Sequence, residues 1–118
     1  MRLLTTLTVC CFLFIAGIHM TGCSTATDVH ATEAVIQTPS LQCDMCTSKV
    51  TKALQAVDGV ESVDVNLENK TASISYDPNA VTEMELMAAI TNVGYQANDQ
   101  QADAEAYEKL DACCKMPE

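Results

Sequence analysis

Tryptophan is absent from the 118 residues, and aromatic side chains make up only 4% of them. No large aromatic core is available. Basic residues are also scarce: six Lys and Arg stand against sixteen Asp and Glu, a formal net charge of -10. Such a chain lacks the basic footprint that displaces counterions from nucleic acid, so no nucleic acid is expected as a partner. It equally lacks the polybasic patch that draws a protein to anionic lipid. The N-terminal apolar run, Leu3 to Ile18, has about 16 residues, short of the roughly 20 that a bilayer span needs. A length of 118 residues suffices for one small domain and not for two. What the chain does have is cysteine, seven in all. That number points to thiol chemistry, metal or disulfides before anything else.

Arg2 precedes the apolar run, and Met20-Thr21-Gly22-Cys23 closes the segment. A positive start, a short apolar stretch and small residues behind it read as a secretory signal. The closing tetrapeptide resembles the bacterial lipobox, with Met20 in the place usually held by Leu. The resemblance implies cleavage before Cys23, lipid on that residue, and a lipoprotein anchored in the bacterial cell envelope, facing the periplasm or the exterior. An ordinary cleaved signal and an uncleaved anchor are the alternatives. Cleavage would leave residues 23–118, with five basic residues against sixteen acidic and a charge of -11. Cys10 and Cys11 would go, and beyond Cys23 two pairs would remain: Cys43 with Cys46, and Cys113 with Cys114.

Residues 23–33 are rich in Thr, Ala and Ser without apolar periodicity, and read as a flexible tether. From Ala34 the pattern changes, and a first strand is expected through Val35-Ile36 towards Leu41, with Pro39 near its end. Val50, Ala53, Leu54 and Val57 then recur at helix spacing, stopped by Asp58-Gly59. Val60 to Leu67 alternates, Glu68-Asn69-Lys70 turns, and Ala72, Ile74 and Tyr76 alternate again, which makes a hairpin. Thr82 and Glu85 form a capping-box signature before Leu86, Met87, Ile90 and Val93. Gly94 ends that second helix, and Tyr95 to Ala97 is expected as a short last strand. The order βαββαβ over 34–98 predicts an α+β, ferredoxin-like sandwich, with two helices on one face of a four-stranded antiparallel sheet. Residues 99–118 are expected to form an acidic C-terminal helix and tail, on the stripe Ala106, Tyr107, Leu110, Cys113 and Cys114.

Cys43-Asp44-Met45-Cys46 sits where a strand passes into a helix. Two sulfurs at that spacing can turn towards one ion, and the helix N-terminus favours thiolate through its unpaired N–H groups. Both cysteines are expected to lie outside the core. Thiolates are soft ligands that suit Cu(I), Zn(II) and related ions. Two suffice for near-linear Cu(I) or Hg(II), whereas Zn(II) takes four. His30 reads as a solvated tether residue, and Met45 as an exposed residue between the ligands. No catalytic constellation is visible, so no enzyme is expected.

The run Ser40-Leu41-Gln42-Cys43-Asp44-Met45-Cys46 resembles the metal loop of heavy-metal-associated domains, a family that includes copper chaperones, copper-ATPase N-terminal domains and the periplasmic mercury-binding protein. Further matches stand at Asp58-Gly59-Val60, Tyr76-Asp77-Pro78, Ala89-Ile90 and Gly94-Tyr95. Where the family has Gly-Met, three and two residues before the first ligand, this chain has Ser40 and Leu41. Leu41 can still plug the floor under the loop. The resemblance implies Cys43 and Cys46 as ligands for Cu(I), or for Hg(II) or Zn(II), with Tyr95 beside the loop. It further implies hand-over by thiolate exchange to or from a partner metal domain, such as that of an efflux ATPase or transporter. Two other readings of the Cys pair stay open: a thiol–disulfide oxidoreductase, and an interaction module with a structural disulfide. Cys113 and Cys114 could add ligands to the same site, bind metal separately or with a partner, or form a disulfide. A continuous helix from about Asp99 to Cys113 would span roughly 22 Å. The chain would have to leave the domain opposite the site and return along it. The open sheet face at Ser62, Asp64, Ser73 and Ser75 offers that helix little apolar area.

Overall fold

The computed structural model describes residues 30–117. The expected signal segment, the lipobox with Cys23 and most of the tether lie outside them. Strand β1 (Thr32–Gln37) turns Ala34 and Ile36 inward by simple alternation. It begins two residues before Ala34 and ends before Pro39, which stands in the following turn. Helix α1 (Asp44–Gln55) buries Cys46, Val50 and Leu54, one residue per turn along a single face. Strands β2 (Val60–Asn66) and β3 (Thr71–Tyr76) form the hairpin, with Lys70 at φ 55° in its turn. Helix α2 (Glu83–Thr91) starts at a complete capping box. The Thr82 hydroxyl accepts from the Glu85 N–H at 3.3 Å, and the Glu85 carboxylate accepts from the Thr82 N–H at 2.8 Å.

The strands pair antiparallel in the order β1-β3-β2. Ala72, Ile74 and Tyr76 of the central strand join Ile36, Val50, Leu54, Leu86 and Ile90 in one core of small aliphatic side chains. This is the ferredoxin-like arrangement expected, with one difference. Among the described residues the sheet has three strands, and Tyr95 to Ala97 forms none. Ala97 instead exchanges backbone hydrogen bonds with Gln100, at 3.0 and 2.9 Å, around Asn98 at φ 50°. Asn98 hydrogen-bonds to the end of β1: its N–H donates to the Gln37 carbonyl, and its Oδ1 accepts from the Gln37 N–H, each at 2.8 Å. Gln96 to Gln101 carries no β-branched or aromatic residue to hold an extended strand, and Asn tolerates the left-handed turn.

The aborted strand changes where the tail goes. Gln37 is the last residue of β1, so the chain reverses at the end of the sheet that carries the cysteine loop. A long return helix is unnecessary and is not formed. Helix α3 (Ala104–Glu108) is capped by Asp103, whose carboxylate accepts from the Ala106 N–H at 2.8 Å. Asp111 then breaks the run with an extended backbone before a 3-10 turn, Ala112–Cys114. The tail packs on Gly94, where an added Cβ would stand 3.0 Å from the backbone of Ala106 and Tyr107. The Asp103 N–H donates to the Thr91 carbonyl at 3.0 Å, and Leu110 and Cys114 enter the core.

Candidate metal centre

The loop between β1 and α1 is fixed from three sides. Leu41, expected to plug the floor under the loop, is fully buried. The Lys70 ammonium, from the hairpin turn, donates to the Leu41 carbonyl. The Thr38 N–H donates to the Lys70 carbonyl at 2.7 Å. Ser40 accepts from the Gln96 N–H at 2.9 Å, which ties the loop to the segment carrying Tyr95. Sequence reasoning treated Ser40 as a mere departure and did not single out Lys70; nothing local to either residue signals these long-range bonds.

Cys43 occupies the N-cap position of α1, half-exposed, with Met45 exposed beyond it. Its sulfur stands 3.3 Å from that of Cys46. The backbone N–H of Cys46 and the sulfur of Cys46 lower the Cys43 pKa to about 7, although no full capping bond closes. Cys46, expected outside the core, is fully buried within it: it falls one turn before Val50 on the inward face of α1. His30 is exposed, two residues before β1.

The second pair comes to the same place. The Cys43 sulfur lies 3.6 Å from Cys113 and 3.9 Å from Cys114, and those two are 3.9 Å apart. Cys43, Cys113 and Cys114 thus form a cluster whose sulfurs all lie within 4.8 Å of one another. Cys113 is exposed, whereas Cys114 is fully buried and burial pushes its thiol up to about 12. All four thiols are free. Lys49 of α1 braces the tail through a 2.8 Å ion pair with Asp111, which sequence reasoning missed because 62 residues separate them.

Tyr95 is fully buried, and its hydroxyl has no hydrogen-bond partner within the protein. Burial first, and then the sulfurs of Cys114 and Cys46 beside it, raise its pKa far above the usual phenol value.

The Heavy-metal-associated domain family matches residues 35–96. The chain belongs to that family. A copper chaperone, CopZ of Staphylococcus aureus, is 38% identical over 63 residues, covering 53% of this chain and 93% of the relative. The crystal structure of oxidized MerP from Ralstonia metallidurans superposes with a TM-score of 0.56 at 28% identity, over 59% of this chain and 99% of that one. A copper-binding domain of HMA7, a P-type ATPase, superposes at 0.55 with 29% identity, over 56% and 89%. The heavy-metal-associated match takes in the cysteine loop and Tyr95 but stops at residue 96. Everything that carries Cys113 and Cys114 lies beyond it.

Proposed function

We propose that this heavy-metal-associated domain binds a soft metal ion as cargo on Cys43 and Cys46 and passes it on by thiolate exchange. The observation that carries the reading is the partly exposed Cys43 sulfur at a helix N-terminus, 3.3 Å from that of Cys46. Cu(I) is the favoured cargo, because two thiolates satisfy it and the CopZ relative is a copper chaperone. Hg(II) and Zn(II) are the alternatives. In the hand-over an acceptor thiolate attacks the ion and a three-sulfur intermediate forms. A bond to Cys43, the more accessible ligand, then breaks before the buried bond to Cys46. No electron moves and the ion is never free. The acceptor fits a P-type ATPase metal domain or a similar partner domain, whose basic face the acidic surface would attract. With lipid on Cys23 the whole would be tethered to the bacterial envelope.

Native mass spectrometry of the reduced chain, titrated with Cu(I), Zn(II) and Hg(II), tests the reading. One ion per chain is expected, with Cu(I) held against the other two. Cys43→Ser with Cys46→Ala should abolish tight Cu(I) binding, Ala being chosen because position 46 is in the core. Undiminished affinity in that variant would move the site elsewhere.

A further inference from the structure

The proposal above uses two of four cysteines gathered around the Cys43 sulfur, of which Cys43, Cys113 and Cys114 lie within 4.8 Å of one another. Four thiolates around an ion at a metal–sulfur distance near 2.3 Å stand about 3.8 Å apart, whereas two in a line stand about 4.6 Å apart. The Cys43 sulfur lies 3.3, 3.6 and 3.9 Å from those of Cys46, Cys113 and Cys114. These separations all fall short of a linear site; Cys43, Cys113 and Cys114 already stand at three-sulfur spacing, and a four-sulfur site needs Cys46 to draw closer to the tail pair.

The tail is held there by contacts that do not involve sulfur. Leu110 is in the core, the backbone at Ala106 lies against Gly94, and Asp111 pairs with Lys49 at 2.8 Å. A second observation points independently to the same place. The unpartnered, fully buried hydroxyl belongs to Tyr95, a member of the same core cluster as Cys46 and Cys114. A buried O–H without an acceptor is costly, and a metal-bound thiolate is an acceptor.

We infer that Cys113 and Cys114 complete the coordination of an ion held by Cys43 and Cys46, giving a tetrathiolate site with Cys43 at its hub. The inference rests on the proposed role of Cys43 and Cys46. As each tail sulfur bonds to the ion, its S–H proton passes to solvent, and no electron is transferred. The consequence is retention. An ion gripped by the tail cannot pass to a two-thiol acceptor until the tail sulfurs let go. The site also accepts ions that want four ligands, which a bare Cys-x-x-Cys loop serves poorly.

The test uses the full reduced chain carrying C10S, C11S and C23S, so that only these four thiols remain, loaded with Zn(II). X-ray absorption should count four sulfurs around zinc. C113S with C114S should leave two sulfurs and weaken Zn(II) binding by about a hundredfold or more, since even outer-shell changes cost roughly 10–100-fold. Two sulfurs in the parent chain, with affinity unmoved by C113S and C114S, would overturn the inference and leave the Cys43–Cys46 reading standing. Full affinity in C43S with C46A would instead overturn that reading and the shared site with it.

Discussion

Tyr95 carries a buried polar atom at a cost that a bound ion would offset. Its hydroxyl is buried with no partner, and an unsatisfied buried polar group costs about 1–3 kcal/mol. Tyr95→Phe should therefore leave the metal-free protein as stable or raise its stability by about 1 kcal/mol, read from urea midpoints. The same change should weaken metal binding, because a donor to thiolate is gone. A loss of apo stability near that of a core truncation would show that the hydroxyl is satisfied in solution. The thiols differ as sharply. Cys43 is half-exposed with a pKa lowered to about 7, so its reactive thiolate is present above that pH and lost below it. Its alkylation by iodoacetamide in the metal-free chain should rise between pH 6 and 8 and level off beyond. Cys114, buried and pushed up to about 12, should stay unmodified throughout. Peptide mapping by mass spectrometry separates the two, and equal rates would contradict the packing described.

Leu110 decides whether the tail behaves as an element of the fold. It is the one large aliphatic side chain that the segment after Asn98 places in the core, 8% exposed. Leu110→Ala should cost about 2–3 kcal/mol, at the low end for core truncations because the site lies near the surface. It should also open Cys114 to alkylation while α1 and the hairpin keep their hydrogen-exchange protection. Unchanged Cys114 reactivity would mean that other contacts hold the turn. The elements before residue 95 were legible in the sequence because each is specified locally. The alternation of Ala72, Ile74 and Tyr76, the box at Thr82 and Glu85, and the period of Val50 and Leu54 all declare themselves within a few residues. The tail was not. Ala106, Tyr107 and Leu110 have helical spacing, but the chain's direction was settled by Asn98 turning at φ 50° and abandoning the fourth strand. Asn-Asp reads as a possible turn, yet only tertiary contacts with Gln37 decide that it is one. Cys43 and Cys46 could be picked out from spacing; their meeting with Cys113 and Cys114 depended on that turn.

At the scale of the whole molecule, the question is what residues 99–118 add to a domain already long enough without them. The heavy-metal-associated match ends at residue 96, and the relatives it aligns with are covered over 89–99% of their own length. The segment 30–98 thus contains the family's usual complement except for a formed fourth strand. Deleting residues 99–118 should leave α1, α2 and the hairpin folded. Stability should fall by about 1.5–3 kcal/mol, the worth of burying one Leu, with a further loss from uncovering Tyr95 and Cys46. Urea titration followed by circular dichroism reads this as a lower midpoint, with a slightly smaller slope because less surface is exposed on unfolding. An unchanged midpoint would mean that the tail is undocked in solution. Complete unfolding would mean that the tail has replaced the missing strand as an obligatory layer. Charge separates the tail's mechanical part from its electrical one. The full chain carries -10, so Cu(I) transfer to a basic acceptor should slow as salt rises from 0.01 to 0.15 M, where the screening length shrinks from about 30 to 8 Å. The deleted segment holds six Asp and Glu against two Lys, so truncation should flatten that salt dependence. If retention by Cys113 and Cys114 is the tail's main effect, the truncated chain should nevertheless transfer Cu(I) faster at every salt concentration.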